Sequence, residues 1–223
     1  MKRIAETVFL IAGLVLVDWY IWTQARAVLY QAYASWTFNS QLHQIEETPP
    51  PAAAPRLHRD ELVGRLQIPR LGLNVMVREG DDEATLAEAV GHLPSSPLPG
   101  DLGNVALAGH RDTFFRPLRE LRVNDRIAFA TLKGTYQYQV ESIRIVLPSD
   151  VSVLKASAEP TLTLVTCYPF YYVGSAPKRF IVRARLIGPV PPDVPTAGAR
   201  PAPGWSRLPG LSASAARHRR RRS

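Results

Sequence analysis

The sequence predicts a mainly β domain, an eight-stranded β-barrel with short helices, preceded by an N-terminal transmembrane helix. Three observations carry this prediction. Residues 4–22 form one apolar run that is interrupted by Glu6 near one end and Asp18 near the other. Residues 60–188 contain short runs in which apolar and polar residues alternate, and turn-forming residues separate those runs. Short strands at regular spacing, with few helices between them, favour a closed or nearly closed barrel over a fold that alternates strands and helices.

The first segment, residues 1–23, is predicted to be a cytoplasmic start followed by a membrane anchor. As a helix, the apolar run of residues 4–22 would span roughly 28 Å, which is close to the thickness of a bilayer's hydrocarbon core. Two basic residues precede the run and an aromatic cluster closes it. This pattern predicts a single-pass protein of the cell membrane whose domain lies outside the cytoplasm. A cleaved signal peptide, for which residues 25–27 offer an A-x-A pattern, and an apolar helix of a soluble core are the alternatives.

Residues 24–59 are predicted to form a helical stalk and a linker. Apolar residues between positions 27 and 45 recur loosely at helical spacing, without glycine or proline. They predict a helix that continues the anchor and lays its apolar face on the bilayer or on the domain. Residues 48–55, TPPPAAAP, are typical of a semi-rigid polyproline spacer and mark the domain boundary.

The domain itself is predicted to occupy residues 60–188. Its candidate strands are residues 62–68, 73–77, 104–109, 126–131, 135–140, 142–147, 161–166 and 180–187. Two helical insertions interrupt them. The first covers residues 82–90, with Asp81 as its N-cap, and the second is a short piece around residues 115–121.

The tail, residues 189–223, is rich in proline, alanine and arginine and is predicted to be disordered, because it has too little apolar surface to bury. The chain has a formal net charge of +8, and five arginines of residues 217–222 leave only +3 for the remainder. A nucleic-acid-binding domain would carry its charge on a folded face with interleaved aromatic residues, so this class is disfavoured. The tail is predicted to aid solubility or to attract phosphates or carboxylates on an envelope surface.

Cys167 is the only cysteine of the chain and ends a predicted strand. A lone thiol cannot form an intramolecular disulfide, so it is either a small buried apolar group or a nucleophile. A thiol with a pKa of about 8.5 is mostly protonated at neutral pH, so a nucleophilic cysteine needs a base or a positive charge beside it. His110 is the candidate base, because it follows an apolar strand and Gly109. A buried structural role for His110 is the alternative, and His92 is interpreted as the C-terminal neighbour of the first helix.

Arg179 opens the last predicted strand, twelve residues after the cysteine. Its guanidinium is always charged and presents several N–H donors, which suits it to an oxyanion or to a substrate backbone. The backbone N–H of Tyr168 is the expected second donor, and a surface arginine without function is the alternative. Asp112 is interpreted as the cap of the short second helix, with orientation of the imidazole as its other possible role.

The segment between the cysteine and the arginine is unusually aromatic. It contains Tyr168, Tyr171 and Tyr172, which are predicted to bind substrate by forming the wall of a groove for an extended peptide. A loop folded onto the barrel is the alternative. Thr166, next to the cysteine, is predicted to contribute strand geometry or a substrate contact.

Three separated motifs resemble the sortase family of cysteine transpeptidases: ALAGHRDTFF at residues 106–115, TLVTC at residues 163–167, and the arginine that opens an apolar strand about a dozen residues later. The GHRDTFF and TLVTCYPF motifs most resemble those of class D sortases. The resemblance covers roughly residues 60–188 and implies the eight-stranded sortase barrel. It also implies that Cys167 is the nucleophile, His110 the general acid and base, and Arg179 the oxyanion or substrate clamp.

The resemblance further implies an activity. Protein substrates with a C-terminal Leu-Pro-x-Thr-Gly-like sorting signal would be cut after the threonine, leaving a thioester on Cys167 that an amine acceptor of the cell envelope resolves. No cofactor is required by this chemistry, and the acidic residues 81–83 are interpreted as a helix start rather than as a metal site. The alternatives are a hydrolytic cysteine peptidase, an L,D-transpeptidase-like enzyme and a non-catalytic envelope tether.

Overall fold

The computed structural model describes residues 2–45, 58–59, 61–172 and 174–190. Two α-helices and eight strands make up its regular structure, together with three short 3₁₀ turns. In chain order the elements are α1 (Lys2–Ile45), β1 (Leu62–Ile68), β2 (Leu73–Glu79), α2 (Glu83–Glu88), β3 (Val90–His92), β4 (Asn104–Ala108), β5 (Arg126–Thr131), β6 (Gly134–Val146), β7 (Thr161–Tyr168) and β8 (Lys178–Val190).

The eight strands close into one barrel in the order β1-β2-β3-β4-β7-β8-β6-β5, which confirms the predicted mainly β barrel with short helices. The pairs β2–β3 and β4–β7 are parallel and the other pairs are antiparallel. The predicted strand count is right because two differences cancel. The strands predicted at residues 135–140 and 142–147 form the single strand β6, with an irregularity between Val140 and Ser142. The three-residue strand β3 was not predicted.

Alternate residues of the strands fill the barrel. On β7, Leu162 and Leu164 are fully buried, and their partners on β8, Ala184 and Val182, are fully buried too. Successive side chains of a strand point to opposite faces, so one face of each strand supplies the core. Phe115, which is also fully buried, packs into the same cluster.

Both predicted helical insertions differ in detail from the structure. The side chain of Asp82, rather than that of Asp81, caps α2 by accepting hydrogen bonds from the backbone N–H groups of Ala84 and Thr85. The hydrogen bond from the Thr85 N–H lowers the pKa of Asp82. The second insertion is a 3₁₀ turn, Arg116–Glu120, which begins without any side-chain cap. The interpretation of Asp112 as a helix cap is therefore wrong.

The second half of α1 packs on the domain. The sequence had left open whether this apolar face lies on the bilayer or on the domain. Ala34 and Phe38 are buried against the barrel together with Met76. The Gln31 side chain accepts a hydrogen bond from the Met76 N–H at 2.8 Å and donates one to the Glu88 carbonyl at 2.8 Å. The amphipathic face of α1 is therefore covered by β1 and β2 and by the segment that carries α2.

The first half of α1 exposes its apolar residues. Each large apolar side chain described between positions 9 and 22 is more than half exposed. Within the described residues, no helix has both the length and the apolar character needed to cross a membrane. The polyproline spacer at residues 48–55 and the tail beyond residue 190 lie outside the described residues, and β8 extends two residues into the segment predicted as tail.

Candidate active site

The parallel pairing of β4 and β7 brings His110 beside Cys167. The last paired residues of the two strands are Ala108 and Val165, and the Gly109 N–H continues the ladder by donating to the Val165 carbonyl at 3.2 Å. Parallel strands run in the same direction about 4.8 Å apart, so positions two residues beyond the last pair lie side by side. His110 and Cys167 occupy those positions.

The antiparallel pairing of β7 and β8 brings Arg179 to the other side of the cysteine. Cys167 and Arg179 are directly opposite each other in this pair. Side chains opposite each other in neighbouring strands share a face of the sheet. The histidine, the cysteine and the arginine therefore form a row across three adjacent strands, in the order β4-β7-β8.

A cavity of about 320 Å³ opens over this row. The residues that line it are His110, Arg111, Asp112, Cys167, Gly174, Ser175, Ala176 and Arg179. The structure thus brings together the three residues predicted to be catalytic. The Cys167 thiol is free and half-buried, so it is neither sealed in the core nor fully exposed to solvent.

Thr166 lies on the opposite face of β7 from Cys167 and is hydrogen-bonded to the segment that leads into His110. Its side chain is buried and points away from the cysteine's face, and its hydroxyl donates a hydrogen bond to the Gly109 carbonyl at 2.7 Å. That carbonyl belongs to the peptide unit that leads directly into His110. The contact is consistent with the predicted contribution to geometry, while a direct substrate contact has no support, because Thr166 does not line the cavity.

Gly109 is required by a close approach rather than by its backbone torsion. A Cβ atom at this position would lie 2.8 Å from the ring of Phe115, which is fully buried and has no room to move. Contacts that short are not tolerated between carbon atoms. The glycine therefore allows the chain before His110 to pass over the aromatic ring.

His110 has one charged neighbour that sequence reasoning missed. Its Nε2 lies 3.7 Å from Oε1 of Glu83, and the side chain of Glu83 is 88% exposed. The separation is too long for a hydrogen bond, and solvent screens the pair, so its contribution is small. No sequence signal pointed to Glu83, because the contact depends on how the turn before α2 folds against the barrel.

Arg179 turns part of its guanidinium toward the loop that precedes β8. Its Nη1 donates hydrogen bonds to the carbonyls of Ala176 and Lys178, each at 3.1 Å. The Nε and Nη2 atoms donate to none of the residues that the structure describes. An arginine has five N–H donors, so this leaves donors for a ligand in the cavity.

Arg111 is the most heavily bonded residue of the site, and sequence reasoning missed it. Its guanidinium donates to the carbonyls of Pro169, Tyr172 and Gly174, at 3.0, 2.7 and 3.0 Å. The same group lies over the Tyr172 ring, 5.8 Å from its centre. These bonds fasten the segment that carries His110 to the β7–β8 loop, which connects Tyr168 at the end of β7 with Lys178 at the start of β8. The available signal was its place directly after the histidine in GHRDTFF.

None of the three tyrosines predicted to bind substrate lines the cavity. Tyr168 packs against the core, with its ring stacked on Phe180 at 6.3 Å between ring centres. Tyr171 is 77% exposed and lies beside the Arg119 guanidinium, which is 5.5 Å from its ring centre. Tyr172 contacts Arg111. Tyr168 thus holds the end of β7 against the core, and the other two rings contact arginine side chains. A role of the three tyrosines in a peptide groove stays a prediction.

His92 is a buried structural residue in β3, so its interpretation as the neighbour of a helix end is wrong. It is 1% exposed, and its Nδ1 lies 2.6 Å from Oε2 of Glu79. Its Nε2 lies 3.0 Å from the carbonyl of Pro97. Both ring nitrogens are thus engaged away from the cysteine. Across the described part of the chain, no three His, Cys, Asp or Glu side chains are grouped so that they could hold a metal ion.

Comparison with known families and relatives identifies similar proteins. Residues 66–187 match the family described as the sortase domain. The chain is 38% identical to Sortase D of Bacillus subtilis over 125 residues, which is 56% of this chain and 63% of that protein. It is 30% identical to Sortase A of Listeria monocytogenes over 113 residues, 49% of this chain and 50% of that protein. The matches therefore span less than two thirds of these relatives.

Solved structures give the same result for the fold. The Sortase D5 transpeptidase of Clostridium perfringens superposes with a TM-score of 0.59 at 27% identity, covering 74% of this chain and 99% of that one. SrtA of Actinomyces oris gives a TM-score of 0.57 at 25% identity, covering 68% and 97%. Sortase C of C. perfringens, solved with a C-terminal cell wall sorting motif, gives 0.55 at 24% identity, covering 70% and 88%.

Proposed function

The chain belongs to the sortase family, and from this premise we propose that it is a cysteine transpeptidase that transfers the acyl part of a sorting signal to an amine. The observation that carries the proposal is the row of His110, Cys167 and Arg179 over one cavity. A half-buried thiol between an imidazole and a guanidinium has the groups that acyl transfer needs: a nucleophile, a proton carrier and a cationic donor.

In the first half of the proposed reaction, the Cys167 sulfur attacks the carbonyl carbon of the scissile amide. The tetrahedral intermediate carries a negative charge on oxygen, and the free N–H groups of Arg179 are the donors that hold it. The C–N bond then breaks, and His110 gives its proton to the leaving amine. The product is a thioester between the substrate's acyl group and the cysteine.

In the second half, an acceptor amine attacks the thioester carbon. The C–S bond breaks, the sulfur leaves as a thiolate, and the amine proton passes to His110. The enzyme thereby returns to its starting protonation state. Attack by water on the same thioester would give hydrolysis, so the balance between amine and water decides whether the enzyme is a transferase or a peptidase.

The proposed donor is a protein that ends in a Leu-Pro-x-Thr-Gly-like sorting signal. The GHRDTFF and TLVTCYPF motifs support a donor of this class. The site supports an extended peptide because the cavity is bordered on one side by residues 174–176 of the β7–β8 loop. Arg111 holds that loop through three carbonyls, so the loop has a defined position against which a peptide can bind.

We also propose that α1 attaches the enzyme to a membrane, with the barrel outside the cytoplasm. The support is the charge and aromatic pattern of residues 1–23 together with the exposed apolar side chains between positions 9 and 22. So many exposed large apolar side chains, with Asp18 the one charged residue among positions 9–22, are unusual on a soluble monomer. Cell fractionation tests this proposal: the enzyme should stay with membranes through a high-salt wash and be released by detergent.

The test of the activity uses the full chain in detergent with a fluorescent sorting-signal peptide, with and without added amine. The expected result is a peptide–amine product that depends on the amine and is lost in Cys167→Ala. Mass spectrometry of the trapped enzyme should show the acyl group on Cys167. Hydrolysis whose rate does not depend on added amine would indicate a cysteine peptidase. The absence of any product that depends on Cys167 would indicate a non-catalytic tether.

A further inference from the structure

A second cavity, a groove of about 720 Å³, lies between α1 and the segment that follows His110. Its α1 wall includes Tyr20, Ala32 and Ser35, and its other wall includes Asp112 and Arg116. The groove is more than twice as large as the catalytic cavity and has room for a short peptide. We propose that it binds the acceptor, a peptide with a free amino group, and that Asp112 attracts the acceptor's ammonium. This inference rests on the proposed transpeptidase function.

The two cavities meet at Asp112. This residue lines the catalytic cavity as well as the groove, and it lies two residues after His110. Its carboxylate is exposed and accepts no hydrogen bond from any residue that the structure describes, since the segment's 3₁₀ turn begins without a side-chain cap. A carboxylate at the junction is therefore available to a ligand that enters along the groove and reaches the thioester.

The chemistry of the second half-reaction explains why a carboxylate belongs there. A free amine is mostly an ammonium ion at neutral pH and must lose a proton before it attacks. Asp112 attracts the cation, which releases that first proton to solvent, and His110, two residues earlier, takes the second proton as the new C–N bond forms and the C–S bond breaks. Arg116 adds a guanidinium farther along the groove, which suits the carbonyl or carboxylate groups of a peptide.

The groove fits the donor poorly. Neither Cys167 nor Arg179 lines it, although the scissile carbonyl of the donor must reach both. The donor's place is the smaller cavity beside the β7–β8 loop, and the groove lies along α1, on the other border of the His110 segment. Separate cavities for donor and acceptor leave the groove open to the amine while the acyl group is still bound to Cys167.

The first test measures the ratio of aminolysis to hydrolysis for the full chain, with diglycine as the charged acceptor and hydroxylamine as a small acceptor that is uncharged at neutral pH. In Asp112→Asn we expect the diglycine ratio to fall roughly five-fold, the loss expected when one charge pair in a solvated site is removed. The hydroxylamine ratio should stay unchanged. Asp101→Asn removes the same charge from an exposed residue outside both cavities and should change neither ratio.

The second test fills the groove. Ala32 is exposed in the groove wall, so Ala32→Trp should raise the apparent KM for diglycine several-fold without disturbing the barrel core. Leu29→Trp places the same side chain on an exposed position of α1 outside the groove and should leave that KM unchanged. Circular dichroism and urea unfolding establish that both variants fold.

Three outcomes overturn the inference. If Ala32→Trp raises the KM of the donor peptide and not that of diglycine, the groove binds the donor. If Asp112→Asn lowers the diglycine and hydroxylamine ratios equally, its carboxylate does not recognise the ammonium. If the unmodified enzyme forms no thioester on Cys167, the proposed function itself fails and the inference falls with it, and mass spectrometry of the enzyme separates this case from the other two.

Discussion

Replacing Thr166 by valine tests whether the hydrogen bond from its hydroxyl to the Gly109 carbonyl positions His110. Valine has nearly the shape of threonine, so the change removes the hydroxyl that donates to the Gly109 carbonyl at 2.7 Å without opening a cavity. Thr166 is 2% exposed, so the carbonyl loses its partner in a buried place. A buried polar group left without its partner costs about 1–3 kcal/mol, and we expect the free energy of unfolding to fall by that amount.

The effect on catalysis should exceed the effect on folding. The Gly109 carbonyl is held one residue before His110, and a displacement of about 1 Å at a reacting group is enough to lower a rate roughly a hundred-fold. We expect kcat to fall by between about ten-fold and a hundred-fold, with a smaller change in the KM of the donor peptide. Thr166→Ser keeps the hydroxyl and should retain most of the activity.

Thr163→Val is the matched control. Thr163 is buried on the same strand, and its hydroxyl donates to Oδ1 of Asn104 at 2.6 Å, away from the cavity. Oδ1 of Asn104 keeps the Thr161 hydroxyl, 3.3 Å away, as a donor, so the free energy of unfolding measured in urea should fall by about 1 kcal/mol and kcat should stay unchanged. If Thr166→Val also leaves kcat unchanged, or if both variants lower it equally, the hydrogen bond does not position His110 and the reasoning is refuted.

Three other substitutions test separate parts of the structure. Arg111→Lys keeps the charge, but a single ammonium nitrogen cannot reach carbonyls that Arg111 contacts through two separate nitrogens, Nη1 and Nη2. The KM of the donor peptide should therefore rise and protease cleavage between β7 and β8 should become faster; unchanged values of both would contradict a fastening role. Phe38→Ala should lower the free energy of unfolding in urea by about 3 kcal/mol, because the ring is 1% exposed where α1 packs on the barrel; a negligible loss would mean that α1 is not docked in solution. Burial raises the pKa of Tyr138 to about 12 from its ordinary 10.0, so the unfolded chain releases this proton first and stability should fall as the pH rises from 10 to about 12. Thermal unfolding at each pH measures this loss of stability, which should be smaller in Tyr138→Phe than in the unmodified protein. Identical dependence of stability on pH in the two proteins would argue against the burial effect.

Most of the barrel was predictable from local patterns, and the exceptions have physical causes. The bounds of β1 and β5 agree with the alternating runs, because each strand has one face in the core. Strand β3 has only three residues, too few for an alternation to be visible. The break at residue 141 inside β6 divides its pattern in two, because the register with β8 shifts there.

The site was predictable by residue type and not by arrangement. The cysteine, the histidine and the arginine were singled out because each ends or opens an apolar strand within a recognisable motif. Arg111 was overlooked because an arginine next to a histidine has no local signature; its role depends on three carbonyls that follow β7. Asp112 was assigned to a helix cap because that role is common for aspartate before a helix, whereas the turn begins three residues too late for it.

By itself, the sequence determined most of the strands and the kinds of reactive groups, since both depend on propensities and periods within a short stretch of chain. Only the tertiary structure decided that β4 lies parallel to β7, that His110 therefore ends beside Cys167, and that one face of α1 rests on the barrel and forms a groove next to Asp112. Which strands become neighbours depends on the packing of the whole barrel, and no single segment contains that information.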